Sequence, residues 1–203
     1  VVDYKFEKLA RDVAAQRKMD VCLADPSDAF QSTDMDREGI ILNMWPGWEL
    51  YDEDGYQLYL EALGGINGFV QGAMLWNKDA DRILRQMDFT PSTVDPCFYY
   101  RWKRDPVLVT SELAICSLVV DDFLFAFDNR AEGDETIAQF GKLLKPKLKV
   151  EWKPHLVVGG EMYYHDDGSI EFRHKRLKIK LIELLGLDPK NKGSAAQSPA
   201  EPG

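Results

Sequence analysis

Three cysteines, three histidines and no run of eighteen apolar residues are what this 203-residue chain has little or nothing of. Cys22, Cys97 and Cys116 are odd in number, far apart and in no C-x-x-C pair, which excludes a disulfide scaffold and argues for reduced thiols rather than a zinc site. His155, His165 and His174 show no metal-ligand spacing. Without a long apolar run there is no membrane-span signal, and VVDYKFEKLA, with its acids Asp3 and Glu7, is not a signal peptide, so the expectation is a soluble intracellular protein. No Met stands at position 1, and Val1 leads straight into an amphipathic pattern, which reads as a segment of something longer. Basic charge is also scarce: 25 Lys and Arg face 34 Asp and Glu, a formal charge of −9, which taken as an average argues against a polyanionic partner.

What is present is uneven. From Gly141 to Lys192 there are twelve Lys and Arg against seven Asp and Glu, whereas the remainder carries thirteen against twenty-seven. The chain is electrically two-sided. With 45% apolar residues it has enough material for a real core. The end, GSAAQSPAEPG, reads as a linker or disordered tail over 193–203.

Between the ends, helix and strand patterns alternate. Phe6, Leu9, Ala10, Val13 and Ala14 predict a helix over about 3–18, followed by a strand from Met19 to Ala24 that ends at Asp25. A short apolar run over 39–44 closes on the Trp45-Pro46-Gly47-Trp48 turn signal. Gly64, Gly65, Gly68 and Gly72 lead into a helix over about 73–87. Residues 114–120 and 123–127 predict a β-hairpin whose tip is Asp121-Asp122. A helix over about 135–144, a strand near 156–158, a hairpin turned at Asp166-Asp167-Gly168 and a helix over about 175–185 complete an α+β order: a mostly antiparallel sheet with helices packed on one face.

Carboxylates at the ends of apolar strands are the chemical signal. Asp121 and Asp122 follow LAICSLVV directly, and ionised acids beside a buried strand are costly unless a cation neutralises them. Asp25 ends another strand in the same way. If the strands are neighbours, three carboxylates form the oxygen-rich set that Mg²⁺ favours when it also binds phosphates. A solvated acidic turn is the other reading of that pair.

The order of motifs adds a resemblance. Asp25-Pro-Ser-Asp-Ala-Phe30, Val70-Gln71-Gly72, Val119-Val120-Asp121-Asp122 and Val158-Gly159-Gly160-Glu161 resemble the successive motifs of a reverse transcriptase palm. Met44-Trp45-Pro46-Gly47-Trp48, Ala62-Leu63-Gly64-Gly65 with Gln71 and Trp76, and Asp95-Pro96-Cys97-Phe98-Tyr99 extend it to the Ty1/copia class of retrotransposons, over about 1–199. The resemblance implies a palm with partial fingers over 1–172 and the start of a thumb-like helix over 173–192. It also implies an RNA-directed DNA polymerase acting by two-metal nucleotidyl transfer with Mg²⁺, or Mn²⁺ in its place.

Asp25, Asp121 and Asp122 fall on the three catalytic and metal-binding aspartates, with Asp25 and Asp121 side by side on adjacent strands and Asp122 contributing less directly. Phe30 falls on the aromatic gate under the sugar of the incoming deoxynucleotide, Gln71 and Gly72 on the nucleotide and template pocket, and Gly159, Gly160 and Glu161 on the grip of the primer end. The implied partners are an RNA template, a DNA primer, a dNTP and the rest of a longer polyprotein: the basic fingers strands before Val1, a complete thumb and an RNase H segment. The implied location is the cytoplasm, the nucleus or a retroelement particle.

From the residues alone, Phe30 is also a core side chain, Gln71 a helix cap, and Trp76, Phe98 and Tyr99 packing. Lys175, Arg176, Lys178 and Lys180 are equally a solvated helix face or a phosphate contact. Departures from the family pattern are Val119 where an aromatic is usual, Ala73 and Met74 after the glutamine, and about three extra residues between Gly65 and Gln71. A catalytically inactive, retroelement-derived binding or structural subunit therefore stands as the alternative, and an unrelated interaction domain as a third reading.

Overall fold

The computed structural model describes residues 4–34, 36, 38–66, 70–105 and 110–186. The chain divides into two compact units, 1–154 and 155–203. The first contains α1 (Tyr4–Arg17), β1 (Asp20–Pro26), β2 (Ile41–Leu42), β3 (Leu60–Glu61), α2 (Val70–Gln86), β4 (Thr90–Pro91), β5 (Phe98–Asp105), β6 (Thr110–Val119), β7 (Asp122–Phe127), α3 (Arg130–Leu143) and β8 (Leu148–Trp152). The second contains β9 (Leu156–Val157), β10 (Gly160–Tyr164), β11 (Ile170–Arg173) and α4 (Lys175–Leu184). The expected tail, the first three residues and Gly68 lie outside the described residues.

The first unit is built on a six-stranded sheet in the order β4-β5-β6-β7-β1-β8, with every neighbouring pair antiparallel. Its central strand β7, DFLFAF, explains why. Alternate residues Phe123, Phe125 and Phe127 are wholly buried, and Phe140 of α3 meets the first two edge-on at 4.7 and 5.4 Å. Each such ring contributes about 1.5–3 kcal/mol by leaving water. The run β1-α2-β6-β7-α3-β8, laid across the sheet as β6-β7-β1-β8, is a split βαβ arrangement, which places β1 against the β6–β7 hairpin.

Helices α2 and α3 cover one face. Trp76, Ala80, Ile83 and Leu84 join Ile137 and Phe140 in a single core with Cys22, Ala24, Cys116 and Leu118. The expectation that helices occupy only one face is corrected by α1, whose Ala10 and Ala14 lie with Val21, Ile115, Leu124 and Ala126 on the opposite side. The reason is the strand alternation: near the start of β1 and the end of β7 both faces are apolar, so the second face needs cover as well.

Other elements also differ from the sequence reading: α2 and β6 begin three and four residues earlier than expected, and the short β3 and β4 were not expected. Strands β5 and β8 were not expected, because Trp102-Lys103-Arg104 and Lys149-Val150-Glu151 mix charge into short alternations. Helix α3 starts five residues earlier than expected, where Asn129 caps it by accepting from the Ala131 and Glu132 amides at 2.9 and 3.4 Å. Trp76 and Tyr99 are buried packing residues, and Asp95 accepts from the Cys97 amide at 2.8 Å, so the Asp95-Pro-Cys segment is an Asx turn feeding β5.

Strands β2 and β3 form a separate two-stranded ribbon, with the Trp45–Trp48 turn near its base and Gly47 at φ +89°. In the second unit β11-β10-β9 are antiparallel, and α4 packs on β10 without burying any residue.

Candidate functional site

The last residue pair of the β1–β7 ladder is Ala24 with Phe123, both on the core face. One step further along each strand come Asp25 and Asp122, which therefore share the opposite face, each half-buried. Asp25 is in turn paired with Lys149 on β8. Asp122, Asp25 and Lys149 thus cross three adjacent strands on one face. Asp121 sits in the turn with Val120, whose φ of +61° is a conformation that β-branched residues rarely adopt.

This differs from the expectation that Asp121 is the strand neighbour of Asp25. The hairpin turn is only two residues long, Val119 pairs with Asp122, and so Asp122 rather than Asp121 opens the strand beside β1.

The electrostatics follow from this geometry. Asp122 has its pKa raised to about 6, first by burial, then by the charges of Asp121 and Asp25, while Lys149 pulls it down. The three carboxylates feel one another through space. Among the described residues, however, no three Asp, Glu, His or Cys side chains converge closely enough to hold a metal ion as they stand.

The loop after Asp25 is held from three sides. The Ser27 amide donates to the Lys147 carbonyl at 2.9 Å, Lys145 pairs with Asp34, and the Gly65 amide donates to the Thr33 carbonyl at 3.1 Å. A Cβ on Gly65 would lie 2.1 Å from the Phe30 carbonyl oxygen, and one on Gly64 would lie 2.8 Å from the Gln31 carbonyl oxygen, so this glycine pair lets two backbones touch. Phe30 is half-buried, its ring packed against the core, and its Cβ is 4.0 Å from the point where a Cβ on Gly72 would stand. Asp25, Phe30 and Gly72, 47 positions apart at the extremes, are gathered around one loop.

Gly159, Gly160 and Glu161 belong to the second unit. Val158 and Gly159, both at positive φ, form the two-residue turn between β9 and β10. Gly160 lies under the Phe172 ring, 2.1 Å from where its Cβ would be, and Glu161 accepts from the Tyr163 hydroxyl at 2.8 Å. The local packing of the hairpin accounts for these three residues without a ligand.

Lys149 was not singled out by the sequence reading, and Gly65 was named there only within a motif, with no role of its own. The surplus of Lys and Arg after Gly141 was the available signal for the first, and the Gly64-Gly65 pair for the second. Chemically, the site is an acidic cluster with one compensating ammonium on an exposed sheet edge, beside a loop presenting an aromatic residue. Searches against protein-family models and against curated proteins find no match for this chain.

Proposed function

We propose that this chain is the palm portion of an RNA-directed DNA polymerase of the Ty1/copia class. The observation that carries the reading is the adjacency of β1 and β7, which sets Asp25 and Asp122 one register step beyond the Ala24–Phe123 pair with Asp121 in the next turn. The packing of Phe30 near Gly72 supports it, because the aromatic-gate and template-pocket residues of that family would have to be neighbours. The split βαβ arrangement adds nothing specific, since such folds host many unrelated activities.

The donor chemistry suits Mg²⁺ or Mn²⁺: oxygen-only, carrying up to three negative charges, with the pKa of Asp122 raised to about 6 by burial and then by its acidic neighbours. Asp25, Asp121 and Asp122 would hold the metal, which would lower the pKa of a primer 3′-hydroxyl and stabilise charge on departing pyrophosphate. The protein's own part is to align the carboxylates on a rigid sheet and to present Phe30 against the sugar, where a flat ring disfavours a 2′-hydroxyl by shape.

Two observations favour the second reading, an inactive retroelement-derived subunit. Lys149 already stands opposite Asp25, and no metal-binding trio converges among the described residues. Extension of a DNA primer on an RNA template with Mg²⁺, compared with Asp121→Asn, separates the two. Incorporation by the wild-type chain that is lost in the variant supports the polymerase. No incorporation by either, together with a melting temperature unmoved by Mg²⁺ or Mn²⁺, supports the inactive subunit, because a ligand bound only by the folded state must raise that temperature.

A further inference from the structure

The β2–β3 ribbon, an arm over residues 40–62, is apolar in the wrong place for an isolated protein. Its base is held by Ala62 donating to the Ile40 carbonyl at 2.9 Å, and its tip by Leu58 donating to the Leu50 carbonyl at 2.8 Å around a turn at Asp52–Tyr56. Trp45, Trp48 and Tyr56 are 81%, 75% and 73% exposed, and Tyr51, Tyr59 and Leu60 are about half exposed. A two-stranded ribbon is marginal in water by itself, and this many exposed aromatic side chains on one short arm mark an interaction site.

The arm is also strongly acidic. Glu38, Glu49, Asp52, Glu53, Asp54 and Glu61 lie on or beside it, and no Lys or Arg occurs from residue 38 to residue 77. Two such arms laid against each other would oppose like charges. A partner must bring apolar side chains flanked by basic ones.

Helix α4 has that composition. Leu177, Leu181, Leu184 and Leu185, at i, i+4, i+7 and i+8, form one exposed stripe, and Lys178 and Lys180 flank it with Lys175 and Arg176 close by. No residue of this helix is buried. We propose that the arm of one copy receives helix α4 of a second copy of this chain, the leucine stripe on the aromatic face and the lysines against the arm's carboxylates. Each copy carries both an arm and an α4, so reciprocal exchange makes the same contact twice in a two-fold dimer. The charges set register and salt sensitivity, while the apolar stripe supplies most of the affinity.

The test is sedimentation equilibrium of the full chain at low and high salt, with two charge-reversal variants built from exposed residues. Glu53→Lys with Asp54→Lys reverses the arm tip, and Lys178→Glu with Lys180→Glu reverses the helix; circular dichroism checks that both remain folded. A wild-type dimer that weakens as salt rises is expected, with each variant alone losing association by about tenfold or more. Mixing the two variants should restore a dimer containing one of each, because reversed arm then meets reversed helix and native arm meets native helix. A wild-type chain that is monomeric at low salt overturns the proposal. So does a dimer that neither reversal weakens, which would mean a different face is used, or a mixture in which association is not restored.

Discussion

Asp122 is the residue whose environment says most about the site. Its folded pKa of about 6 lies above its unfolded value of 3.8, so between those values the folded state binds more protons than the unfolded one. Stability is therefore lost as pH rises from about 4 through about 6, the reverse of the usual behaviour of a salt-bridged carboxylate. Because the group is only about half buried, solvent screening reduces the effect to about 1 kcal/mol. Asp122→Asn should be more stable than the wild type above pH 6 and should lose this pH dependence, measured by urea melts at a series of pH values. An unchanged slope in the variant would mean that burial and the charges of Asp121 and Asp25 do not raise the Asp122 carboxyl. A stability gain on removing an acid is a signature of a site arranged for something other than folding.

At the scale of elements, two glycines with similar sequence context have opposite reasons. Gly65 touches the Phe30 carbonyl, so Gly65→Ala must displace the loop that carries Phe30, costing about 2 kcal/mol or more. Gly72 lies within α2, and a Cβ there would meet only the Ile66 carbonyl oxygen at 3.7 Å and Phe30 Cβ at 4.0 Å, which are ordinary contacts. Gly72→Ala should therefore raise stability by up to about 1 kcal/mol through helix propensity alone. Thermal melts check both. If the backbone at Gly72 serves a template or nucleotide, the alanine variant will be more stable and less able to bind primed template, a split that a purely structural glycine would not show.

Across the whole molecule, the net charge of −9 averages an acidic arm and an acidic strand edge with the basic stretch after Gly141. A phosphate backbone would be met by that stretch, against repulsion from the rest. Affinity for a single-stranded RNA should be weak and should fall steeply with salt, read as a clear negative slope of log affinity against log salt in fluorescence anisotropy. Tight, salt-insensitive binding would contradict the electrostatic account. No helix among the described residues is long and apolar enough to cross a membrane.

The sequence by itself determined what local pattern can determine. The β6–β7 hairpin with its acidic tip, the bodies of α1 and α2, helix α4 with its basic face and the Trp45–Trp48 turn follow from spacing and composition within a short window. Tertiary structure alone decided which strands are neighbours. Register across β7, β1 and β8 put Asp122, not Asp121, beside Asp25 and set Lys149 opposite it, and these pairings join residues 97 and 124 positions apart. Likewise α1 took the second face because distant strands left it apolar, and Gly65 leaves no room for a side chain because a loop more than thirty residues earlier passes against it. Such contacts depend on sheet order and close approach, which no local window of sequence encodes.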